Sequence, residues 1–311
     1  MAARAACPNN DRFAPAGAST ENEMNKSLGA LALSIGVAAA GFAVPVSAAC
    51  LSDDEVQALA AAWSERKPAV NPPEGMSAAD GQCSRAKLNV RLKAMLGEPI
   101  GYKAGLTSAA VQKRFNHDAP VRGTLYASMM LADGASVEAA FGARPVFEGD
   151  LLVRVSDAAI NRATTHEQVL AAIDQVIPFV ELPDLVVAAP SKLNGAAIMA
   201  INVGARLGVK GAPIAVERND AFAAALKDMV VVARGDGAEL ARAPGAAILG
   251  HPLNAVLWLV QDLNQEGIAL KPGDLLSLGS FSAPLPPKAG MAVEVEYQGL
   301  PGNPKVKLAF R

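Results

Sequence analysis

The chain has 311 residues with 28 Lys+Arg against 30 Asp+Glu, and its formal charge of −2, without basic runs, excludes nucleic acid as the main partner. Aromatic residues make up 5 %, too few for base-stacking platforms, and Gly 27 with Pro 21 excludes a collagenous or low-complexity chain. The length allows one large domain or two ordinary ones, with a core that needs no disulfide or metal staple to fold.

The apolar residues are unevenly spread. From Leu28 to Ala49 no residue is charged. Met24-Asn25-Lys26 precedes this stretch, and Ser47-Ala48-Ala49 closes it before Cys50. A basic start, an apolar middle and a small-residue cleavage site describe a secretory signal peptide over 24–49. A retained membrane anchor is the alternative reading. A lipoprotein is disfavoured, because Cys50 lacks a large aliphatic residue three positions before it. Residues 1–23 are polar and patternless, so translation is expected to begin at Met24 and 1–23 to be a mis-assigned extension. A single domain over 50–311 then remains, with a helical arm at 50–96 and a β-rich core at 97–311. Its location is periplasmic or secreted, and after signal removal no stable membrane insertion is expected. In an oxidising compartment Cys50 and Cys83 are expected to pair, with two inert buried thiols as the alternative.

Ser52 and Glu55 form a capping box that opens a helix carrying Val56, Leu59, Ala60 and Trp63. A Pro- and Gly-rich loop spans Lys67–Gly81, and a second helix runs from Cys83 to Leu96. Beyond Gly97 short apolar runs alternate with Gly, Pro and Asp. Strands are predicted at Phe147–Val155, Ile177–Val187, Asp274–Leu278, Ala292–Tyr297 and Lys305–Phe310, with helices at Thr165–Ile177, Ala221–Met229 and Pro252–Gln265. Strands and helices do not alternate regularly, which argues against a doubly wound sheet and for an α+β fold with a β-rich core.

Four segments carry candidate chemistry. In Phe147-Glu148-Gly149-Asp150, residues two apart on a strand share a face, so Glu148 and Asp150 sit side by side and repel unless a cation or proton lies between them. A solvent-facing strand edge is the bland alternative. Glu181 interrupts the apolar run Ile177–Leu182, where an unpaired charge is costly to bury. Three carboxylates on two strands make an oxygen-rich site for a hard cation such as Mg²⁺ or Mn²⁺. His117, His166 and His251 lack zinc-like spacing. Lys103, in the Gly-flanked segment GYKAGLTS, either meets a carboxylate or lies on the surface. Ser280 follows a strand end and either binds substrate or turns the chain.

GYKAGLTS, followed by VQKRF, resembles the signature of the 2-oxo-4-pentenoate hydratase and 4-oxalocrotonate decarboxylase family, within the fumarylacetoacetate hydrolase-like superfamily. The Glu148-x-Asp150 segment, PFVELPD around Glu181 and GHPLNAVLWLVQDLNQEGIALKPGDLLSLGS extend the resemblance from about residue 86 to the C-terminus. It implies a mixed β-rich α+β fold of the fumarylacetoacetase C-terminal type. It also implies a Mg²⁺ or Mn²⁺ site from Glu148, Asp150 (Glu in most relatives) and Glu181, with Lys103 as the active-site lysine. Gly105, Leu106, Thr107 and Ser280 would contact a small 2-oxo acid substrate. The implied reaction is hydration of a 2-oxo- or 2-hydroxydienoate by a homo-oligomeric enzyme. A decarboxylase, an acylpyruvate hydrolase and a non-catalytic periplasmic oxo-acid binder are the alternatives. Two departures stand out: Val121 occupies a place that is acidic in relatives, and Ile201-Asn202-Val203-Gly204 keeps only the Asn of an Asp-Asn-x-Ser stretch.

Overall fold

The computed structural model describes residues 49–311. The expected extension 1–23 and signal peptide 24–49, Ala49 apart, lie outside the described residues.

Helix α1 (Asp53–Glu65) starts at the expected capping box, where Ser52 accepts from Glu55 N and Glu55 accepts from Ser52 N. Helix α2 (Ala78–Leu96) begins earlier than Cys83, because Ser77 and Asp80 form a second capping box, so the loop expected through Gly81 ends at Ser77. Cys50 and Cys83 are disulfide-bonded with Cα atoms 5.6 Å apart, which decides the pairing in favour of a bond. The chain then runs through β1 (Pro99–Gly105), α3 (Ala109–Arg114), β2 (Val121–Tyr126), β3 (Met130–Ala132), β4 (Ala135–Val137) and β5 (Glu148–Val155).

The helix predicted over Thr165–Ile177 is corrected: α4 (His166–Ala172) stops at Ala172, and β6 (Ile173–Leu182) follows without a loop. Ile173, Val176 and Ile177 are β-branched, and Pro178 would clash with a preceding helical turn, so the chain straightens there. The strand expected over Ile177–Val187 accordingly starts earlier and ends at Leu182, before Pro183. Then come α5 (Gly195–Ala200), β7 (Leu207–Lys210), β8 (Ile214–Ala215), α6 (Asp220–Asp228), β9 (Val230–Gly235) and β10 (Ala238–Pro244). Helix α7 (Pro252–Gln265) occupies its predicted range, with Pro252 in the first turn and His251 capping Leu253 N. Strands β11 (Leu275–Ser277), β12 (Ala292–Gln298) and β13 (Lys305–Phe310) close the chain.

The strands form an eight-stranded mixed sheet in the order β2-β1-β11-β5-β6-β7-β3, with β8 also on β6, and a five-stranded sheet in the order β10-β9-β12-β13-β4. This is the mixed β-rich α+β architecture that the sequence predicts. Strand alternation divides the core. Leu151, Val153 and Val180 pack with Val295, Phe310 and α7 on one face of the large sheet. Leu152, Ile177 and Phe179 pack on the other face with α1, α2 and α5. Among the described residues no helix is long and apolar enough to cross a membrane.

Candidate active site

Glu148 and Glu181 are register partners on the antiparallel β5–β6 ladder, so their side chains stand opposite each other on the face that carries Leu152 and Phe179. Lys103 reaches the same place from β1, two strands away from β5 across β11. Its Nζ donates to Glu181 Oε1 in a buried ion pair and to the Val203 carbonyl at 3.2 Å. Lys103 and Glu181 are only 3 % and 2 % exposed, which removes the surface-lysine reading.

The Val203 carbonyl is aimed by an unusual backbone. Asn202 and Val203 are both left-handed, at φ +54° and +53°. Asn202 holds that conformation by accepting from Thr124 N at 2.7 Å and donating to Thr124 O at 3.0 Å, as a strand partner would. The sequence offered one cue to this role: Asn tolerates the left-handed region better than most residues. Val203 itself was not expected to contribute.

A cavity of about 550 Å³ opens above this pair. Lys103, Gly105, Leu106, Thr107, Glu148, Glu181 and Ser280 all line it, so the structure brings together every predicted site residue except Asp150. The rest of the wall is mostly apolar, including Phe115, Leu185, Ile198 and Phe281, with Arg114 as a second cation. Leu106, at φ +54°, turns β1 into the Thr107-Ser108 segment, and Ser108 caps α3. Gly279, at φ +104°, lies so close to Thr107 that a Cβ there would come within 2.4 Å of Thr107 Oγ1. The two cavity-lining loops therefore meet at Gly279.

The departures have a structural meaning. Val203 and Val121 both border Gly105, where an added Cβ would lie 2.4 and 3.4 Å from their methyl groups. Val203 puts hydrocarbon on the cavity wall, while Val121 is buried behind Gly105. Arg122 points elsewhere, pairing with Asp262 at 2.5 Å and Glu266 at 2.6 Å on and beside α7.

Asp150 is fully buried but does not line the cavity. Its Oδ2 accepts from Ser277 Oγ at 2.6 Å. Its Oδ1 accepts from the backbone N–H of Leu151, Leu278 and Gly279 at 2.5, 3.2 and 3.0 Å. Glu148 and Asp150 are thus not on a solvent-facing edge. Loss of solvation, followed by the neighbouring Glu181 carboxylate, pushes Glu148 up to about 8 and Asp150 up to about 7.

Three carboxylates share one ammonium here, and an all-oxygen, net-negative donor set has the chemistry of a hard divalent cation site. Glu148 and Glu181, opposed across the ladder, fit that demand. Among the described residues no three His, Cys, Asp or Glu side chains converge on one point, because Asp150 is turned into the protein.

No protein-family model matches the chain. The 2-hydroxyhexa-2,4-dienoate hydratase of Comamonas testosteroni is 32% identical over 219 residues, which cover 68% of this chain and 79% of that protein. The 2-keto-4-pentenoate hydratase 2 of Dechloromonas aromatica is 28% identical over 271 residues, covering 84% of this chain and 96% of the relative. Among solved structures, a 4-oxalocrotonate decarboxylase from Pseudomonas putida G7, complexed with magnesium and adipate, superposes with a TM-score of 0.72 at 26% identity, over 85% of this chain and all of that one.

Proposed function

The chain belongs to the family of 2-keto-4-pentenoate hydratases and 4-oxalocrotonate decarboxylases and is an enzyme of that hydratase-like type, and we propose that it adds water to a 2-oxo- or 2-hydroxydienoate such as 2-oxopent-4-enoate. The product is a 4-hydroxy-2-oxo acid. The observation that carries this reading is the buried Lys103–Glu181 pair facing Glu148 at the acidic end of a mostly apolar cavity.

Glu148 and Glu181 would hold Mg²⁺ or Mn²⁺. That cation, when bound, supplies a Lewis acid for the substrate's carboxylate and 2-oxygen. Lys103 carries three N–H donors, two of them committed to Glu181 and the Val203 carbonyl. The third is free to hold a substrate oxygen and to relay a proton at Nζ. Over the whole reaction the 2-oxo tautomer gains a proton at C5 and a hydroxyl at C4; from the 2-hydroxydienoate the enol O–H proton is also lost and a proton is added at C3. The Thr107 hydroxyl borders the cavity as a substrate hydrogen-bonder, the Ser280 hydroxyl lines it but donates to Ser282 O at 2.6 Å and so turns the chain there, and the apolar wall receives the hydrocarbon tail. A homo-oligomer is the assembly we expect.

The test is loss of dienol absorbance on mixing the protein with 2-hydroxypenta-2,4-dienoate and Mg²⁺, with the 4-hydroxy-2-oxo product identified by NMR and Glu148→Gln as control. Bound metal without turnover of any 2-hydroxydienoate would refute the assignment. One observation favours decarboxylation as a second reading. Val203, which lines the cavity beside Lys103, supplies no acid or base, and loss of CO₂ from a vinylogous carboxylate asks less of proton transfer than hydration does. Release of CO₂ from a 2-oxo-enedioate separates the two.

We also propose export. The Cys50–Cys83 bond fits an oxidising compartment. Purified protein from the periplasm should begin at Cys50; residues found upstream of Met24 would exclude that processing.

A further inference from the structure

We propose that Asp150 is not a cation ligand in this chain but a positioning residue, a buried clasp that sets the geometry of both cavity-lining loops. The inference rests on the catalytic reading above, and it revises one member of the carboxylate set that the motif implies.

Three observations carry it. The first is engagement of both carboxylate oxygens by protein donors. Oδ1 of Asp150 accepts from the N–H groups of Leu151 and Gly279 and, at 3.2 Å, from that of Leu278, which it shares with the Leu151 carbonyl at 2.9 Å; Oδ2 accepts from Ser277 Oγ. A cation would have to displace at least part of this set. The second is direction. Asp150 shares a sheet face with Glu148 yet is absent from the cavity wall, whereas Glu148 and Glu181 both form it. The third is where its donors lie. Ser277 ends β11, and Leu278 and Gly279 lead directly into Ser280. Two of the four hydrogen bonds therefore fix the backbone that presents Ser280 and Phe281 to the cavity.

The clasp reaches further through Gly279. With φ at +104° and no side chain, Gly279 seats against Thr107, and the Thr107 carbonyl in turn accepts from Leu249 N at 2.9 Å. Asp150, Gly279 and Thr107 form a contiguous stack joining β5, the β11 exit and the β1 exit. The strand beneath is pinned as well: the Tyr297 hydroxyl lies 2.7 Å from the Asp150 carbonyl and 2.6 Å from that of Phe179, and accepts from Phe179 N at 3.0 Å. Asp150 cannot easily swing toward the cavity without releasing the β11 exit, since its short side chain leaves only χ1 and χ2 to change.

The experiment compares Asp150→Asn, Asp150→Ala and Glu148→Gln in the mature chain. Mg²⁺ and Mn²⁺ affinity is read by calorimetry, KM and kcat with 2-hydroxypenta-2,4-dienoate, and amide hydrogen exchange at Leu278 and Gly279 without metal. Asn preserves the acceptor oxygen and its shape while weakening any ligand role. A clasp predicts that Asp150→Asn keeps cation affinity within about tenfold of wild type, against a loss of at least about 100-fold in Glu148→Gln. It predicts that Asp150→Ala raises KM more than it lowers kcat and speeds exchange at Leu278 and Gly279, with both effects rescued in Asp150→Asn. Equal loss of cation affinity in Asp150→Asn and Glu148→Gln would overturn the clasp and leave the catalytic reading standing. Unchanged cation affinity in Glu148→Gln would instead overturn the catalytic reading, and the exchange data would then decide the clasp alone: unaltered protection in Asp150→Ala refutes it.

Discussion

Replacing Lys103 by Met removes the ammonium that pairs with Glu181 beside Glu148 and Asp150, and the cost is bounded by the cheapest way the cluster can respond. Glu181 loses its ion-pair partner while remaining buried, a change that costs about 3–5 kcal/mol when the orphaned charge has no escape. An escape exists, because the carboxylate can bind a proton. Relative to an unfolded chain whose glutamates ionise near 4.3, holding one protonated costs about 3.7 kcal/mol at pH 7 and about 1 kcal/mol at pH 5, at 1.36 kcal/mol per unit. The Val203 carbonyl also loses its donor, which adds about 1 kcal/mol at either pH. Lys103→Met should therefore destabilise by about 4–5 kcal/mol at pH 7 and about 2 kcal/mol at pH 5. At roughly 2–4 °C per kcal/mol for a domain of this size, that is a Tm drop of roughly 8–20 °C at pH 7 and roughly 4–8 °C at pH 5. The assay is urea and thermal unfolding of metal-free protein at both pH values, beside Lys103→Met/Glu181→Gln. The double variant removes the charge that needs a proton and should recover most of the pH 7 loss. Equal destabilisation at both pH values, with no recovery in the double variant, would show that the pair is not an electrostatic unit.

Cation binding should be strongly pH-linked. Burial and Glu181 push Glu148 up to about 8, so a divalent cation must displace a proton below that value. Mg²⁺ affinity measured by calorimetry should rise about tenfold per unit between pH 6 and 8 and flatten above 8, with proton release detectable in buffers of different ionisation enthalpy. A flat profile would refute the link. Without metal the sign is opposite for stability: the folded protein holds protons that the unfolded chain has released, so Tm should fall as pH rises from about 4.5 to 8. Saturating Mg²⁺ should remove the share of that fall that belongs to Glu148. Removing the Cys50–Cys83 bond, which spans 33 residues, should cost about 3.7 kcal/mol by loop entropy, seen as a Tm drop of roughly 7–15 °C in Cys83→Ser. Gly279→Ala places a methyl against Thr107 at a left-handed position and should raise KM while costing about 1–3 kcal/mol. Gly302→Ala, equally left-handed but in open space, is the control for backbone strain alone.

Much of this protein is legible from short-range chemistry. The Ser52 capping box, Pro252 at the start of α7 and the apolar face of that helix are local signals, and the elements they predict are present. The shared face of Glu148 and Asp150 follows from the two-residue period of a strand. The GYKAGLTS segment and the acidic strand residues suffice to place the chain in its family. Local signals failed where two tendencies competed. Thr165 caps a helix, but the β-branched run after Ala172 ends it, and which tendency wins depends on pairing with β5 and β7.

The site itself depends on contacts that no local pattern encodes. Lys103 and Glu181 are 78 residues apart, and Asp150 and Ser277 are 127 apart. Periodicity says which face a carboxylate occupies but not which partner lies across that face. The order β1-β11-β5-β6 sets those partners, by placing a lysine, a serine hydroxyl and the backbone N–H groups of Leu278 and Gly279 around three acids. Glu148 and Asp150 consequently part ways, one facing the cavity and the other filled by donors from β11. Sequence alone establishes the acidic strands and the lysine; the long-range strand order assigns each acid its role, because a buried carboxylate takes its function from the donors that surround it.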